Sequence, residues 1–409
     1  MKRIIALFAL LILAAGLAAE GVQITGYVRN YTGVLLHGDY DFSIVQNTLN
    51  LNFELKSDKV AFKVNPYVYQ YFDRDNVFDM REAYLDLYFN SMDIRIGKQQ
   101  IIWGKADGVF ITDIISPKDL TEFLLRDFDE IRMGVTAAKV DYYIGNSTLE
   151  VVWVPVFSPN KMAEEGSIWH PVMELPPNTI FDFSKKDVAF NLKNSEIFAK
   201  FSTLTGPVDF EIMAGYTWDA DPTLFTEKKI DPVSHQLLSM IIIPQYDRLT
   251  VFGGSFSTTI KGFVLRGEAA YYVGKYFQTT DPTVPFGVTE KNYLHYLIGL
   301  DYTLWGAKVS AQFIQKIIFD YAPMLTMPEH HNMMTVLVSK QYLNDTLTVE
   351  FFSYIGITDG DALIRPKITY SFADGFDIQV GANIFTGSKG MFGRFHDNDM
   401  VYTKLRYSF

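Results

Sequence analysis

The sequence has no cysteine, which excludes a disulfide-stapled fold and every thiolate chemistry, from zinc ribbons to cysteine nucleophiles. Beyond its first nineteen residues it also lacks any apolar run near the ~20 residues that a membrane-spanning helix needs. Positive charge is scarce. The 36 Lys and Arg face 47 Asp and Glu, a formal charge of −11, and no basic stripe is present of the kind that nucleic-acid partners require. None of the seven His begins a His-x-Ser run such as outer-membrane phospholipases use.

Aromatic residues are plentiful, with 33 Phe and 24 Tyr making up most of a 15% share. A chain that crosses lipid without helices must close into a barrel, the other structure that pairs every backbone N–H and C=O internally. The opening stretch fits export. Met1-Lys2-Arg3, the apolar run Ile4 to Leu13 and the small residues Gly16-Leu17-Ala18-Ala19 predict a removed secretory signal over 1–19. A membrane anchor is the competing reading, for which the run is short. Residues 20–409 are then one barrel domain, with a charge of −11 − 2 = −13 once Lys2 and Arg3 are gone.

The last nine residues show the pattern most clearly. Val401, Thr403, Leu405, Tyr407 and Phe409 fall on one face of a strand and Tyr402, Lys404, Arg406 and Ser408 on the other. That is the lipid-out, water-in alternation of an outer-membrane barrel, ending on an aromatic residue. Tyr407 and Phe409 resemble the terminal signal read by the barrel-assembly machinery.

The same period of two predicts an all-β, antiparallel up-and-down transmembrane barrel of about 18 strands, within a range of 16–18. The strands fall near 22–33, 43–56, 59–70, 79–89, 92–100, 133–144, 148–156, 194–204, 207–218, 248–259, 262–274, 291–303, 306–316, 332–341, 345–356, 361–371, 375–386 and 398–409. Tight joins follow the even-numbered strands and longer ones the odd, about thirty residues or more at 101–132, 157–193 and 219–247, which places both termini in the periplasm. Pro66 and Pro366 fall inside predicted strands, where a bulge or an earlier strand end is expected.

The frames put Arg29, Glu82, Asp86, Arg95, Gln99, Arg266, Arg365, Lys367, Lys404 and Arg406 on the lumen side as candidate pore-lining residues. Arg29, Arg365, Lys367, Lys404 and Arg406 come from the first strand and the last ones, which barrel closure brings together as a basic wall. Glu82, Asp86, Asp93 and the loop acids Asp127, Asp129 and Glu130 are read as belonging to another sector, giving a transverse field and a preference for anions.

Arg95-Ile96-Gly97-Lys98-Gln99, then Trp103-Gly104, Ala106-Asp107-Gly108 and Ser116-Pro117-Lys118-Asp119-Leu120 form the most distinctive segment. With Glu82 to Asp86 upstream, it resembles an uncharacterised family of bacterial outer-membrane barrels. That family joins a strand ending in Arg-x-Gly-Arg/Lys-Gln and Trp-Gly to a loop with an Asn/Ser-Pro-x-Asp-Leu turn. Its Gly-Lys-Gln part is similar to the matching strand of alginate-export and other substrate-specific porins. The specific part spans about residues 80–135, and the family supplies no substrate.

Within that loop Asp119 to Leu125 reads as a short helix with Leu120, Phe123 and Leu124 on one face. An apolar face needs cover, which the barrel mouth supplies; capping from outside is the alternative. Trp103, Asp107, Asp119, Phe123, Asp127, Asp129 and Glu130 are the candidate constriction residues, and 157–193 is a second candidate for narrowing the mouth. Weaker signals are His330-His331 for a metal, the acidic tips Asp73-Arg74-Asp75-Asn76 and Asp397-Asn398-Asp399 for Ca²⁺, and inward-facing His295. None of these prevails, so the reading carries no metal, cofactor or catalytic residue. It is a porin-like channel for small solutes in the outer membrane of a Gram-negative cell. The oligomeric state is open. A non-transporting adhesin or scaffold, and then a barrel enzyme, are the alternatives.

Overall fold

The computed structural model describes residues 21–172, 175–231, 233 and 237–409; the predicted signal segment lies outside them. Eighteen strands form one closed antiparallel sheet. In chain order they are β1 Gln23–Leu35, β2 Phe42–Lys56, β3 Val60–Tyr71, β4 Val77–Tyr88, β5 Met92–Gln99, β6 Val135–Ile144, β7 Ser147–Val154, β8 Glu196–Thr205 and β9 Val208–Trp218. The second half comprises β10 Arg248–Ile260, β11 Phe263–Gln278, β12 Val288–Leu304, β13 Ala307–Ile318, β14 His330–Tyr342, β15 Leu347–Gly356, β16 Asp361–Ala373, β17 Phe376–Thr386 and β18 Met400–Ser408. Each pairs with its neighbours in sequence. Closure comes from β18 against β1, where Tyr31 faces Lys404 and Arg29 faces Arg406. Phe409 exchanges two backbone hydrogen bonds with Gly26 at 2.9 and 3.0 Å.

The alternation sorts side chains by solvent. Val28, Ile96, Ile212, Phe252, Ile298, Ile368 and Val380 stand exposed on the outer surface, as a lipid-facing wall requires, because a Lys or Arg there at mid-bilayer would cost about 2–4 kcal/mol. Rings gather outside at the end bearing the tight turns, including the Phe263–Tyr302 and Phe376–Tyr407 stacks at 4.4 and 4.3 Å. With an apolar belt and aromatic girdle outside and charge within, this is a bacterial outer-membrane barrel. The turns are two to four residues long. At Lys261-Gly262 and Trp305-Gly306 both residues have positive φ, the conformation that matches the twist of a two-residue hairpin.

Pro66 does mark a bulge. Asn65 pairs with Glu82 but Pro66 with Met80, so Arg81 is the extra residue, and Arg81 and Glu82 are both buried on the lumen side. At Pro366 no bulge forms, contrary to expectation. Pairing with β17 lapses at Arg365 and Pro366 and resumes in the same register, from Ile364–Ile384 to Lys367–Gly381, since the missing N–H removes a ladder bond without adding a residue.

Two loop features differ from the sequence reading. Residues 219–247 contain a hairpin, Thr223–Ile230 with Leu237–Gln245, extended by Thr179–Phe181 into a three-stranded sheet. The helix read over Asp119 to Leu125 is absent: Asp119–Leu120 bridges Lys161–Met162, and Phe123 lies at φ 52°, outside the helical region. A single helical turn, α1, forms instead at Phe128–Ile131.

Candidate functional site

The loop of residues 100–134 runs inside the barrel. It is fastened to the wall by groups that the inward frame of each strand supplies. Glu268 of β11, 4% exposed, accepts from the backbone N–H of Lys105 at 3.0 Å, Ala106 at 3.1 Å and Thr112 at 2.7 Å, and from the Thr112 hydroxyl at 2.7 Å. One carboxylate thus satisfies three loop amides that would otherwise be buried without partners. Arg266, two residues earlier on the same face, donates to the Lys105 carbonyl at 2.9 Å and to Asp107 at 2.8 Å, and also pairs with Asp301. Gln312 of β13 holds the backbone of Asp107 at both ends, at 3.1 and 2.7 Å.

Further round the wall, the Trp103 indole N–H donates to Glu150 at 2.5 Å, and the ring meets Phe198 edge-on at 6.1 Å. Lys105 reaches Asp209 at 2.7 Å and Glu211 at 3.3 Å. At Gly108 the φ of 81° and a ring atom of Phe352 within 2.6 Å of where a Cβ would sit leave no room for a side chain, and Tyr354 donates to the Gly108 carbonyl at 2.8 Å.

The returning arm of the loop meets the closure seam. Asp127 accepts from Arg29 of β1 at 3.1 Å and from Lys404 of β18 at 2.8 Å. Glu130 in α1 accepts from Arg29 at 3.0 Å and from the Tyr27 hydroxyl at 2.6 Å, and lies 3.9 Å from Arg81. The Arg81 bulge thereby serves the loop: its guanidinium also donates to the Asp129 carbonyl at 2.7 Å. Burial works against the charge of Asp127, but Lys404 and Arg29 outweigh it and hold this carboxyl below its ordinary range. Burial likewise opposes ionisation of Glu130, and Arg29 again reverses the balance. Asp129 shifts the other way, pushed up by burial and by Glu130 beside it.

Phe123 takes the place that the expected helix face was to fill. Its ring packs at 4.8 Å from Phe395, 6.1 Å from Phe392 and 6.2 Å from Phe385. Trp169, from the following long loop, closes over Phe385 and Phe395 at 5.7 Å each, so part of the 157–193 segment also sits on the inward loop. Asp119 folds onto its own turn, accepting from the Thr121 N–H and hydroxyl. Beside this turn is a cavity of about 480 Å³ lined by Tyr69, Tyr71, Arg74, Asp119, Arg126 and Glu164 among others.

The residues read as pore-lining therefore divide. Arg29, Glu82, Asp86, Gln99 and Lys404 are buried. Glu82 holds Lys63 at 2.8 Å and the Gln100 N–H at 3.0 Å, Asp86 grips Arg95 at 2.6 and 2.9 Å, and Gln99 donates to the Ala137 carbonyl at 3.1 Å. Arg365 donates to the carbonyls of Leu124 and Leu125 at 3.0 and 3.3 Å, and Lys367 pairs with Glu350 at 2.7 Å. Arg406 lies over the Tyr27 ring at 4.1 Å. The separate acidic sector is a correction: Asp127 and Glu130 lie directly on the basic wall, because the loop carries them across the lumen to it. Glu268, Gln312 and Arg81 were missed as anchors. Glu268 shares the inward frame of Arg266, but no pattern in the strands reveals which loop amide a carboxylate will meet. Among the described residues no cluster of three or more His, Asp or Glu is placed to hold a metal. His331 instead faces Asp359 at 3.0 Å and Arg74 pairs with Asp73 at 3.0 Å.

Solved structures similar to this chain are outer-membrane proteins. OccAB1 of Acinetobacter baumannii superposes with a TM-score of 0.56 at 9% identity, covering 95% of this chain and 96% of that one. OccAB3 of the same organism gives 0.55 at 9% identity, over 95% and 99%, and OccK8 (OprE) of Pseudomonas aeruginosa 0.55 at 10% identity, over 95% and 98%. At such identities the likeness is one of fold. No curated protein matches the sequence. The family model of proteins of unknown function DUF1302 matches residues 38–350, and the chain belongs to that family.

Proposed function

We propose that this protein is a porin-like channel for small solutes, gated or narrowed by the 100–134 loop. The observation that carries it is a closed membrane barrel of eighteen strands, whose interior is too wide for its own wall side chains to fill, crossed by a loop fixed to the wall. An adhesin would not require a loop fastened inside. The cavity beside Tyr69 and Tyr71 is read as the vestibule in which solutes first lodge.

The anion preference read from the basic wall is relocated by this geometry. Arg29, Lys404 and Lys367 each have a carboxylate within about 3 Å, which cancels most of their field at a distance beyond ~8 Å in physiological salt. Selectivity then belongs to lumen charges without such partners. Liposome swelling with neutral sugars and small organic anions tests the channel: solute entry through the wild-type protein supports it. Correctly inserted protein that admits none of these solutes, even with residues 112–126 deleted, would leave the scaffold reading.

A further inference from the structure

Each wall cation described above ends on a carboxylate, a carbonyl or an aromatic face. Lys316 of β13 does not. It shares the inward frame of Gln312, Ile314 and Ile318, which are all buried, and is itself half-buried, yet among the described residues it makes no hydrogen bond or ion pair. The ladder sets Lys316 opposite His295 of β12 and His331 of β14. One row across three adjacent strands thus reads His, Lys, His, all turned inward, with the Cβ atoms of opposed residues ~4.5–5.5 Å apart. His295 is 7% exposed, and its buried Nε2 has no partner, where buried polar atoms are nearly always hydrogen-bonded.

The charges around the row are few. Lys275 of β11 is held by Asp219, and His331 by Asp359. Asp221, from the loop after β9, acts on Lys316 while its carboxylate is occupied by the Asn160 amide at 2.8 Å. The stacked rings of Tyr272 and Tyr293, 4.5 Å apart, lie on the same face one pair along the ladder from Ala270 and His295. A cation and an unpaired imidazole nitrogen thus share one inward row, and the carboxylates around it, Asp219, Asp359 and Asp221, are each already occupied.

We propose that Lys316, His295 and His331 form a binding site for the oxyanion of a small solute, a carboxylate or a phosphate. This deepens the channel reading by naming the chemistry of its solute. The Lys316 ammonium supplies the charge, and the unpartnered His295 nitrogen supplies a hydrogen bond to the bound oxyanion.

Equilibrium dialysis of the detergent-solubilised chain with labelled inorganic phosphate and, separately, labelled acetate tests the site without any need for transport. A protein that binds but admits no solute to liposomes keeps the site and loses the channel. Saturable binding is expected with either probe, and the probe that binds identifies the solute headgroup. Lys316→Gln, confirmed as folded by its shift in gel mobility on boiling, should bind at least tenfold more weakly, and Lys316→Arg should retain binding. The His295→Gln/His331→Gln pair should bind severalfold more weakly, and Asp221→Asn should tighten binding. No saturable binding of either probe, or equal binding by wild type and Lys316→Gln, would overturn the proposal.

Discussion

Glu268 shows how much one side chain can organise. Its inward frame on β11 is that of Arg266, two residues away, but its partners lie more than 150 residues away in sequence, and no local period encodes them. Removing its carboxylate leaves the amides of Lys105, Ala106 and Thr112 buried without acceptors, at about 1–3 kcal/mol each where water cannot reach them. Glu268→Ala is therefore predicted to loosen the loop and leave the barrel intact. In planar bilayers it should show larger, noisier conductance steps than wild type, with an unchanged shift in gel mobility on boiling. Lys404→Glu gives a second test at this scale. It sets a carboxylate against Asp127, so the expected effect is a conductance increase through loop release rather than a reversal of ion selectivity. An altered reversal potential at unchanged conductance would show instead that solutes meet Lys404 directly.

Among the elements, the strands were readable because lipid on one face and charge on the other impose a strict period of two, and lipid makes exceptions costly. The loops carry no such constraint. The hairpin of Thr223–Ile230 and Leu237–Gln245 was passed over within a long loop, although the run Met240-Ile241-Ile242-Ile243 was its signal. The apolar spacing of Leu120, Phe123 and Leu124 was mistaken for a helix face when it serves a turn docked on Phe385 and Phe395. The loop's place in the lumen was expected from its apolar face, while its anchors became visible only with the fold. Two outcomes follow for this element. Deleting residues 112–126 should raise single-channel conductance severalfold in a correctly inserted protein. Acid should do so reversibly in the wild type. Asp127 and Glu130 have carboxyls held below their ordinary range when docked, so their contribution to docking is full above the ordinary carboxylate pKa of about 4 and is lost as pH falls below it. Conductance recorded between pH 7 and pH 3 should rise at the acid end; a flat profile would mean that the charged anchors contribute little.

For the whole molecule, a closed ladder of eighteen strands has no free edge, and unfolding must open it all at once. Intact barrel is predicted to migrate faster than boiled protein in gels. Deleting Phe409 should reduce the yield of this form in membranes, because it removes the terminal ring and the pair of backbone bonds to Gly26. Wild-type protein recovered in the soluble periplasmic fraction would contradict the membrane reading.

The carboxylate of Asp127 touches the first strand through Arg29 and the last through Lys404. One loop carboxylate therefore ties together two strands that are neighbours in the wall but lie at opposite ends of the chain. The loop thus lies as a splint across the joint where the barrel closes, and any change that frees Asp127 also leaves two cations on adjoining strands without their shared counter-charge.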